Sequence, residues 1–518
     1  MELKLANTDS ENNAVPPPIA PDGGASNQFR PVWRFVMLMA AISVPYLYIV
    51  TAGFSQRSIP YSWPSYTDYY SRLTQAFLHG QVSLIQKPGP ELLALADPYD
   101  PIANHRLAPH DVVLFKGKYY YYWGPTPALL AAMVCKLIGV DHPTFGDQYL
   151  VFGLMLATVG LCAALIFRIR AEFFPTLNPK LAELAILSLG LGSPVLFTMA
   201  RPAVYEVAIL SGQVFLLAGV LLAWMGMGGG RPKWTALLAA GVCLALSCAS
   251  RVSLVPACLI IALLAGWRSW QLRRTVMPVV AVLLPLVCCG LLLAWYNLAR
   301  FGSITEFGVR YQLAATNQHA KAMSEYSSLR FIPINLDRYL FAPPQILYRF
   351  PGIFASDQAP WIARFFTLPE KYGYESLVGL LWCQPFLLLA TVGAAWPILS
   401  RSEGNAPVDR PAKLWLTLTL ISAAWVGIAP ALTIAGDTMR YLLDAVPGCT
   451  ILAALGFLLV LSRVRSARAR VWIERSAVAV VIGQLFLAIP LGLVGYYDQL
   501  ARFNPMLNDM FVKLFNRL

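Results

Sequence analysis

Charge is scarce in this chain and acid scarcer still: Asp and Glu number 27 against 40 Lys and Arg, and charged residues make up 13% of the sequence. With 57% hydrophobic residues and a mean hydropathy of +0.56, so little charge excludes a soluble protein of 518 residues and points to a membrane protein with many spans. Other absences narrow the chemistry. The segment Gly226-Met-Gly-Gly-Gly-Arg231-Pro-Lys233 lacks Walker spacing and a preceding strand, so it reads as a cytoplasmic turn. There is no dinucleotide fingerprint, heptad array or internal repeat, which excludes a user of cytosolic nucleotides. The nine cysteines lie in apolar segments without zinc or disulfide spacing, as small core residues do. The formal charge of +13 would raise the question of nucleic acid in a soluble protein. Here the excess sits in short loops between apolar runs, the positive-inside pattern, so the expected partner is the lipid bilayer and not nucleic acid.

What is present is a series of apolar runs interrupted by two polar stretches. Residues 1–30 read as a disordered cytoplasmic tail rich in Asn, Pro and Gly. The first span, 32–54, is flanked by Arg30 and Arg34 and reads as an uncleaved signal anchor, which sends the next loop outside. Residues 127–139 are apolar but too few to span, so they are expected to rest on the surface. That placement puts the basic loops 168–180, 231–233, 268–274, 401–413 and 463–475 all inside.

The remaining spans are expected at 149–168, 181–199, 204–226, 235–249, 252–267, 275–298, 376–399, 413–433, 441–462 and 476–496. The fold class is therefore an all-α polytopic membrane protein of about eleven transmembrane helices. Its N-terminus is cytoplasmic, its C-terminus periplasmic, and its large first outer loop carries interfacial helices. The divisions expected are a membrane core over 31–299 with an outer loop 55–148, a large outer loop 300–375, C-terminal helices 376–496 and a periplasmic tail 497–518. The location is the inner (plasma) membrane, crossed many times.

Function is sought in the outer pieces, because irregular polar backbone cannot lie in hydrocarbon. Asp68 opens a stretch with helical apolar spacing that ends at Gly80, where an N-cap role is the plain reading. His105, His110 and Asp111 have the spacing of a loose metal site without a third helical ligand. A divalent metal is the lesser reading there, and a turn or an acceptor-binding pair at His110 and Asp111 the greater. Lys118 precedes the run Tyr119–Trp123, read by default as an interfacial aromatic belt and otherwise as a sugar-stacking face. Arg201 and Glu206 share the turn between the third and fourth spans, where an exposed salt bridge is the competing account. Arg310 and Tyr311 stand in an aromatic, basic part of the large loop that suits sugar and phosphate, or a lid on headgroups. Arg440 is a cation at an outer span end and a candidate clamp for phosphate, with pairing to Asp437 or Asp444 as the alternative.

An acid just after the first span, a helix ending in Gly80, a Gly117-Lys118-Tyr119-Tyr120 stretch and a Pro-containing helix closing on Leu137-Ile138-Gly139 together resemble the GT-C superfamily of membrane glycosyltransferases. The nearest type is that of protein mannosyltransferases and aminoarabinose transferases. The resemblance covers the topology of about the first 300 residues and this one motif. It implies a glycosyltransferase whose donor is a polyprenyl-phosphate sugar, with Asp68 as general base and Glu206 as a second acid in acceptor or metal binding. The acceptor would be a lipid, glycan or protein at the outer face, and no cofactor beyond the lipid-linked donor is implied. Tyr69 stands where many members carry a second acid, which argues against a two-acid mechanism at that position. A transporter or flippase for a lipid-linked intermediate is the rival class, but it calls for ionisable midplane sites and repeat symmetry, whereas the acids here concentrate in outer loops.

Overall fold

The computed structural model describes residues 24–54, 63–64, 66–228, 232–365, 367, 372–399, 409–496 and 498–517, with side chains from Trp33 onward except at positions 323 and 409. Most of the expected N-terminal tail lies outside these residues, but Gly24 to Arg30 already belong to the first helix, α1 (Gly24–Val50). The polar loop after it holds α2 (Tyr69–Leu78), the single turn α3 (Pro90–Leu93), a hairpin of β1 (Val112–Phe115) and β2 (Lys118–Tyr120), and α4 (Thr126–Leu137). Helix α4 has 12 residues and leaves Met133, Val134, Leu137 and Ile138 exposed, the apolar face of a helix lying in an interface.

The membrane core follows with α5 (Asp147–Phe173), then α6 (Lys180–Gly190) and α7 (Ser193–Met199), bent by 45° at their junction. Pro194 in the first turn of α7 has no N–H with which to continue the preceding helix, so the span breaks there. Next come α8 (Val204–Met227), α9 (Trp234–Ser250), α10 (Val255–Arg273) and α11 (Met277–Phe301). Helix α9 runs back along α8, with Gly219 against Leu244 and Gly226 against Leu237. Helix α10 starts beside Gly212 of α8 and ends beside Val279 of α11, so the apolar stretch around Arg251 forms two helices that reverse direction.

The second polar stretch carries β3 (Gln312–Leu313), α12 (Met323–Tyr326), α13 (Ile332–Phe341) and the short pair β4 (Gln345–Ile346) and β5 (Ile353–Phe354). Strand β3 joins the hairpin of the first loop in an antiparallel sheet of order β2-β1-β3, with Val112 opposite Leu313 and Phe115 opposite Lys118. The two outer loops are thus one folded cap. Short helices α14 (Leu380–Cys383), α15 (Leu389–Ala394) and α16 (Trp396–Leu399) follow. Then come α17 (Asp409–Ile421), which runs into a π turn at Ser422–Val426, α18 (Val446–Arg463), α19 (Ala467–Val494), α20 (Gln499–Phe503) and α21 (Pro505–Phe515).

Among the described residues eight helices are long and apolar enough to cross a membrane, or nine with the bent α6–α7 pair as one span. Two of the eleven expected spans account for the difference. Helix α9 has only 17 residues, and 376–399 is broken into short helices because Pro385 and Pro397 cannot donate to a continuous ladder. Helix α18 is the hub, with 83% of its span buried. Gly393 of α15 and Gly456 of α18 face the carbonyls of Leu452 and Leu389, a contact of backbones that no Cβ would permit.

Residues at the edges of four of the five basic loops gather at one end of the bundle. Arg34 approaches Glu183 at 3.7 Å, Phe173 meets Trp396 at 4.8 Å, Arg168 lies 4.8 Å over Trp224, and Arg463 donates to the Leu399 carbonyl at 2.7 Å. The polar cap forms the other end. The C-terminal segment returns to this capped end, where Gln499 donates to the Ile49 carbonyl at 2.7 Å and Asn504 to the Ala52 carbonyl at 3.0 Å.

Candidate active site

A helix start leaves backbone N–H groups without partners, and at α2 the residue expected to satisfy them does not. Asp68 stands at the N-cap position without a capping hydrogen bond. The cap comes from Asp147, whose carboxylate accepts the Tyr69 N–H at 3.1 Å, the Tyr70 N–H at 3.2 Å and the Thr67 hydroxyl at 2.5 Å. The Thr67 oxygen in turn accepts the Val204 N–H at 2.9 Å, so the starts of α2, α5 and α8 are tied in one knot. Asp68 is left to pair with Arg72 at 2.9 Å, its side chain 46% exposed. This corrects the expected capping role of Asp68.

The hairpin positions the aromatic run. Lys116 and Gly117 both have positive φ, 48° and 69°, as a two-residue turn between right-twisted strands requires. Beyond it Tyr121 stacks on Tyr69 at 4.9 Å, and Trp123 meets Tyr205 edge-on at 5.5 Å. A Cβ on Gly124 would overlap the carbonyls of Ala249 and Ser250, so glycine lets this strand exit lie directly on the end of α9. Tyr119, Tyr121 and Trp123 are buried, which corrects their reading as an interfacial belt: they form the wall between the cap and the bundle.

Asp111 sits at the entry to β1 in left-handed backbone, with φ 58°, strained for a residue bearing a Cβ. Its N–H bonds the Leu313 carbonyl at 2.7 Å, and its carboxylate accepts Gln312 Nε2 at 2.7 Å with His110 Nε2 at 3.5 Å. Burial raises the carboxyl pKa, while His110, the Gln312 hydrogen bond, Arg440 and Arg201 pull it back down. Tyr69 donates its hydroxyl to the His110 carbonyl at 2.6 Å. The Tyr69 phenol is pushed up to about 12, first by burial and then by the Asp111 charge.

Glu206 is wholly buried in the first turn of α8, where its Oε2 accepts the Ala203 N–H at 3.2 Å. Its Oε1 has no hydrogen-bond partner among the described residues, and Arg201 and Arg440 lie within electrostatic reach. Both guanidinium groups lie over the same two rings: Arg201 is 5.0 Å from the centre of Tyr205 and 5.4 Å from Tyr496, Arg440 4.7 Å and 5.9 Å. Arg440 makes a two-pronged contact with Glu375, Nη1 to Oε2 and Nη2 to Oε1, each at 3.1 Å.

Neither acid considered as a partner for Arg440 is its partner. Asp437 belongs to Arg338 at 2.6 Å and Asp444 to Arg251 at 2.6 Å. These two pairs are locks. Arg338 also donates to the carbonyls of Gln358, Ser356 and Glu375, which fastens the large loop to the turn before Arg440. Arg251, from the reversal between α9 and α10, holds the turn that carries Arg440 into α18.

The chain thus brings Asp111, Arg201, Glu206 and Arg440 into one charged cluster at the capped end of the bundle. Asp68 lies at its edge, next to Tyr69, whose hydroxyl donates to the His110 carbonyl. Three expected site residues face elsewhere. Tyr311 packs with Phe115, Phe301, Tyr99 and His319, Arg310 lies over Tyr311 at 5.4 Å, and Lys118 is exposed at the hairpin. Among the described residues no group of three or more His, Cys, Asp and Glu side chains is arranged to hold a metal. Sequence reasoning missed Asp147, Glu375, Tyr205 and Tyr496. Only Asp147 carried a signal, as an acid opening a long apolar helix.

No protein-family profile and no curated protein matches the chain. Solved structures similar to it include the Archaeoglobus fulgidus oligosaccharyltransferase tethered with an acceptor peptide, at 12% identity and a TM-score of 0.45, over 90% of this chain and 55% of that one. Another is oligosaccharyltransferase AglB from Archaeoglobus fulgidus in complex with an inhibitory peptide and a dolichol-phosphate, at 12% identity and a TM-score of 0.47, over 90% and 56%. A third is ArnT from Cupriavidus metallidurans bound to undecaprenyl phosphate, at 12% identity and a TM-score of 0.44, over 90% and 76%. The chain spans a little over half the length of the oligosaccharyltransferases it resembles.

Proposed function

We propose that this protein is a GT-C-like membrane glycosyltransferase that moves a sugar from a polyprenyl phosphate to an acceptor hydroxyl on a lipid, glycan or protein at the outer face of the inner membrane. One observation carries the reading. Two arginines and two buried acids, drawn from distant parts of the chain, converge where the polar cap meets the membrane helices. A lipid-linked sugar reaches such a site from the bilayer and carries its own leaving group, so no nucleotide fold is needed.

The chemistry then follows. A carboxylate takes the proton of the acceptor hydroxyl, the acceptor oxygen bonds to the anomeric carbon, and the bond from that carbon to the phosphate oxygen breaks. The electron pair leaves with the polyprenyl phosphate, whose charge Arg440 and Arg201 stabilise. Asp68 is the base in this reading, accessible and free of capping duty, and Glu206 is the second acid. His110 and Asp111 serve the acceptor side, with Lys118, Arg310 and Tyr311 on the outer surface by which an acceptor approaches.

The test is release of undecaprenyl phosphate from undecaprenyl-phosphate sugars by the full chain in lipid nanodiscs with a hydroxyl acceptor. Asp68→Asn should lower release about 100-fold or more without loss of folded protein. Parental release by this variant would move the base to Asp111 or Glu206. No release from any such donor by the parent would remove the proposal.

A further inference from the structure

Among the described residues Arg338, Arg251 and Arg440 each pair with an acid at the capped end, and one of these pairs differs from the others. In the Arg338–Asp437 and Arg251–Asp444 pairs the acid side chain is 0% exposed. In the Arg440–Glu375 pair the cation is 8% exposed but the acid 41%. The dry, fixed partner here is the arginine and the wet one is the carboxylate.

Arg440 is oriented without help from Glu375. Its guanidinium lies on Tyr205 and its backbone N–H donates to the Tyr496 hydroxyl at 3.2 Å. Its Nε is buried and has no hydrogen-bond partner among the described residues, so the carboxylate leaves a donor of the guanidinium unused. Apart from Arg440, the hydrogen bonds of Glu375 among the described residues are those of its backbone: its N–H donates to Asp437 at 3.0 Å and its carbonyl accepts from Arg338 at 2.9 Å. Rotation of its side chain toward water therefore disturbs neither anchor.

We propose that Glu375 is a resident stand-in for the leaving phosphate of the lipid carrier: its carboxylate occupies the planar fork of Arg440 until polyprenyl phosphate, a phosphate monoester, displaces it. The inference rests on the reading of Arg440 as the phosphate clamp. A carboxylate and a phosphate present the same pair of oxygens to a guanidinium, and the phosphate adds further oxygen and charge for the unused Nε and for Arg201. Glu375 is thereby a specificity residue. A lipid ending in an alcohol cannot replace it on Arg440, whereas a polyprenyl phosphate can. It also keeps the arginine neutralised between turnovers.

The experiment is equilibrium binding of undecaprenyl phosphate to the full chain in neutral-lipid nanodiscs, with undecaprenol, the same tail without phosphate, as control. Glu375→Gln removes the competing charge and should bind undecaprenyl phosphate roughly tenfold tighter, with undecaprenol unchanged. Arg440→Lys should bind undecaprenyl phosphate more weakly than the parent. If Glu375→Gln binds the phosphate no better while Arg440→Lys weakens it, Glu375 is an ordinary structural partner and the inference is overturned, with the clamp intact. If Arg440→Lys changes nothing, the clamp itself is lost and the inference with it. Should Glu375→Gln fail to accumulate, Glu375→Asp retains the charge but falls short of the fork, and tighter phosphate binding is expected of it too.

Discussion

Asp147 caps the helix that begins at Tyr69, accepting its N–H at 3.1 Å from 78 residues further along the chain. The acid beside that helix, Asp68, is released from the task. Capping thus rests on Asp147, while the proposed chemistry rests on Asp68, and single substitutions separate the two.

Asp147→Ala removes the acceptor of two backbone N–H groups and the Thr67 hydroxyl in a buried place, and should cost about 2–4 kcal/mol. Asp68→Ala removes a half-exposed pair with Arg72 and should cost about 0.5 kcal/mol or less. Thermal unfolding of both variants in one detergent decides it. Equal losses would return the cap to Asp68.

Arg251→Ala leaves Asp444 buried without its cation and should destabilise by about 3–5 kcal/mol. Replacing both partners by apolar residues of similar size, Arg251→Met with Asp444→Leu, should recover most of the loss. Stability of the two variants against the parent checks this. A double replacement as damaged as the single would mean that the pair acts by more than mutual neutralisation.

Asp111 predicts a pH dependence. Its carboxyl pKa is raised above 3.8 in the folded state, chiefly by burial. Below the unfolded value the group is neutral in both states and costs nothing. As pH rises through the folded value, ionisation in the buried place removes stability. Asp111→Asn stays neutral, so its melting temperature relative to the parent's should rise from pH 4 until the folded pKa of Asp111 is passed and then level off, as scans from pH 4 to 8 measure. A difference that stays constant or shrinks with pH would show that the arginines more than offset burial.

The spans were legible because bilayer crossing is a matter of length and apolarity, both local properties of sequence. The 12-residue α4 could be kept out of the count for the same reason. The break at 376–399 was not, since its composition is that of a span and only Pro385 and Pro397 interrupt it. At the site, Arg201, Glu206, Arg440 and Asp111 were visible as charges in outer pieces. The pairings that hold this end together were not, because Glu375 reaches Arg440, Asp147 reaches Tyr69 and Arg251 reaches Asp444 across 65, 78 and 193 residues, and nothing local announces them. The Tyr119–Trp123 run misled for a related reason. Whether an aromatic run faces lipid headgroups or a protein interior depends on what packs on it, here Tyr69 and Tyr205.

The return of the C-terminal segment to α1, by contacts such as Gln499 with Ile49, has a consequence for biosynthesis. Tyr496, on which both arginines rest, lies just before that segment, and Asp68 and Asp111 leave the ribosome some four hundred residues earlier. The arginine pair therefore settles on its rings only when the final helices have entered the bilayer and closed on the first. A chain cut short before Tyr496 would carry Asp68, Asp111, Arg201 and Glu206 without the ring on which both arginines rest, and under the proposed function would be inert.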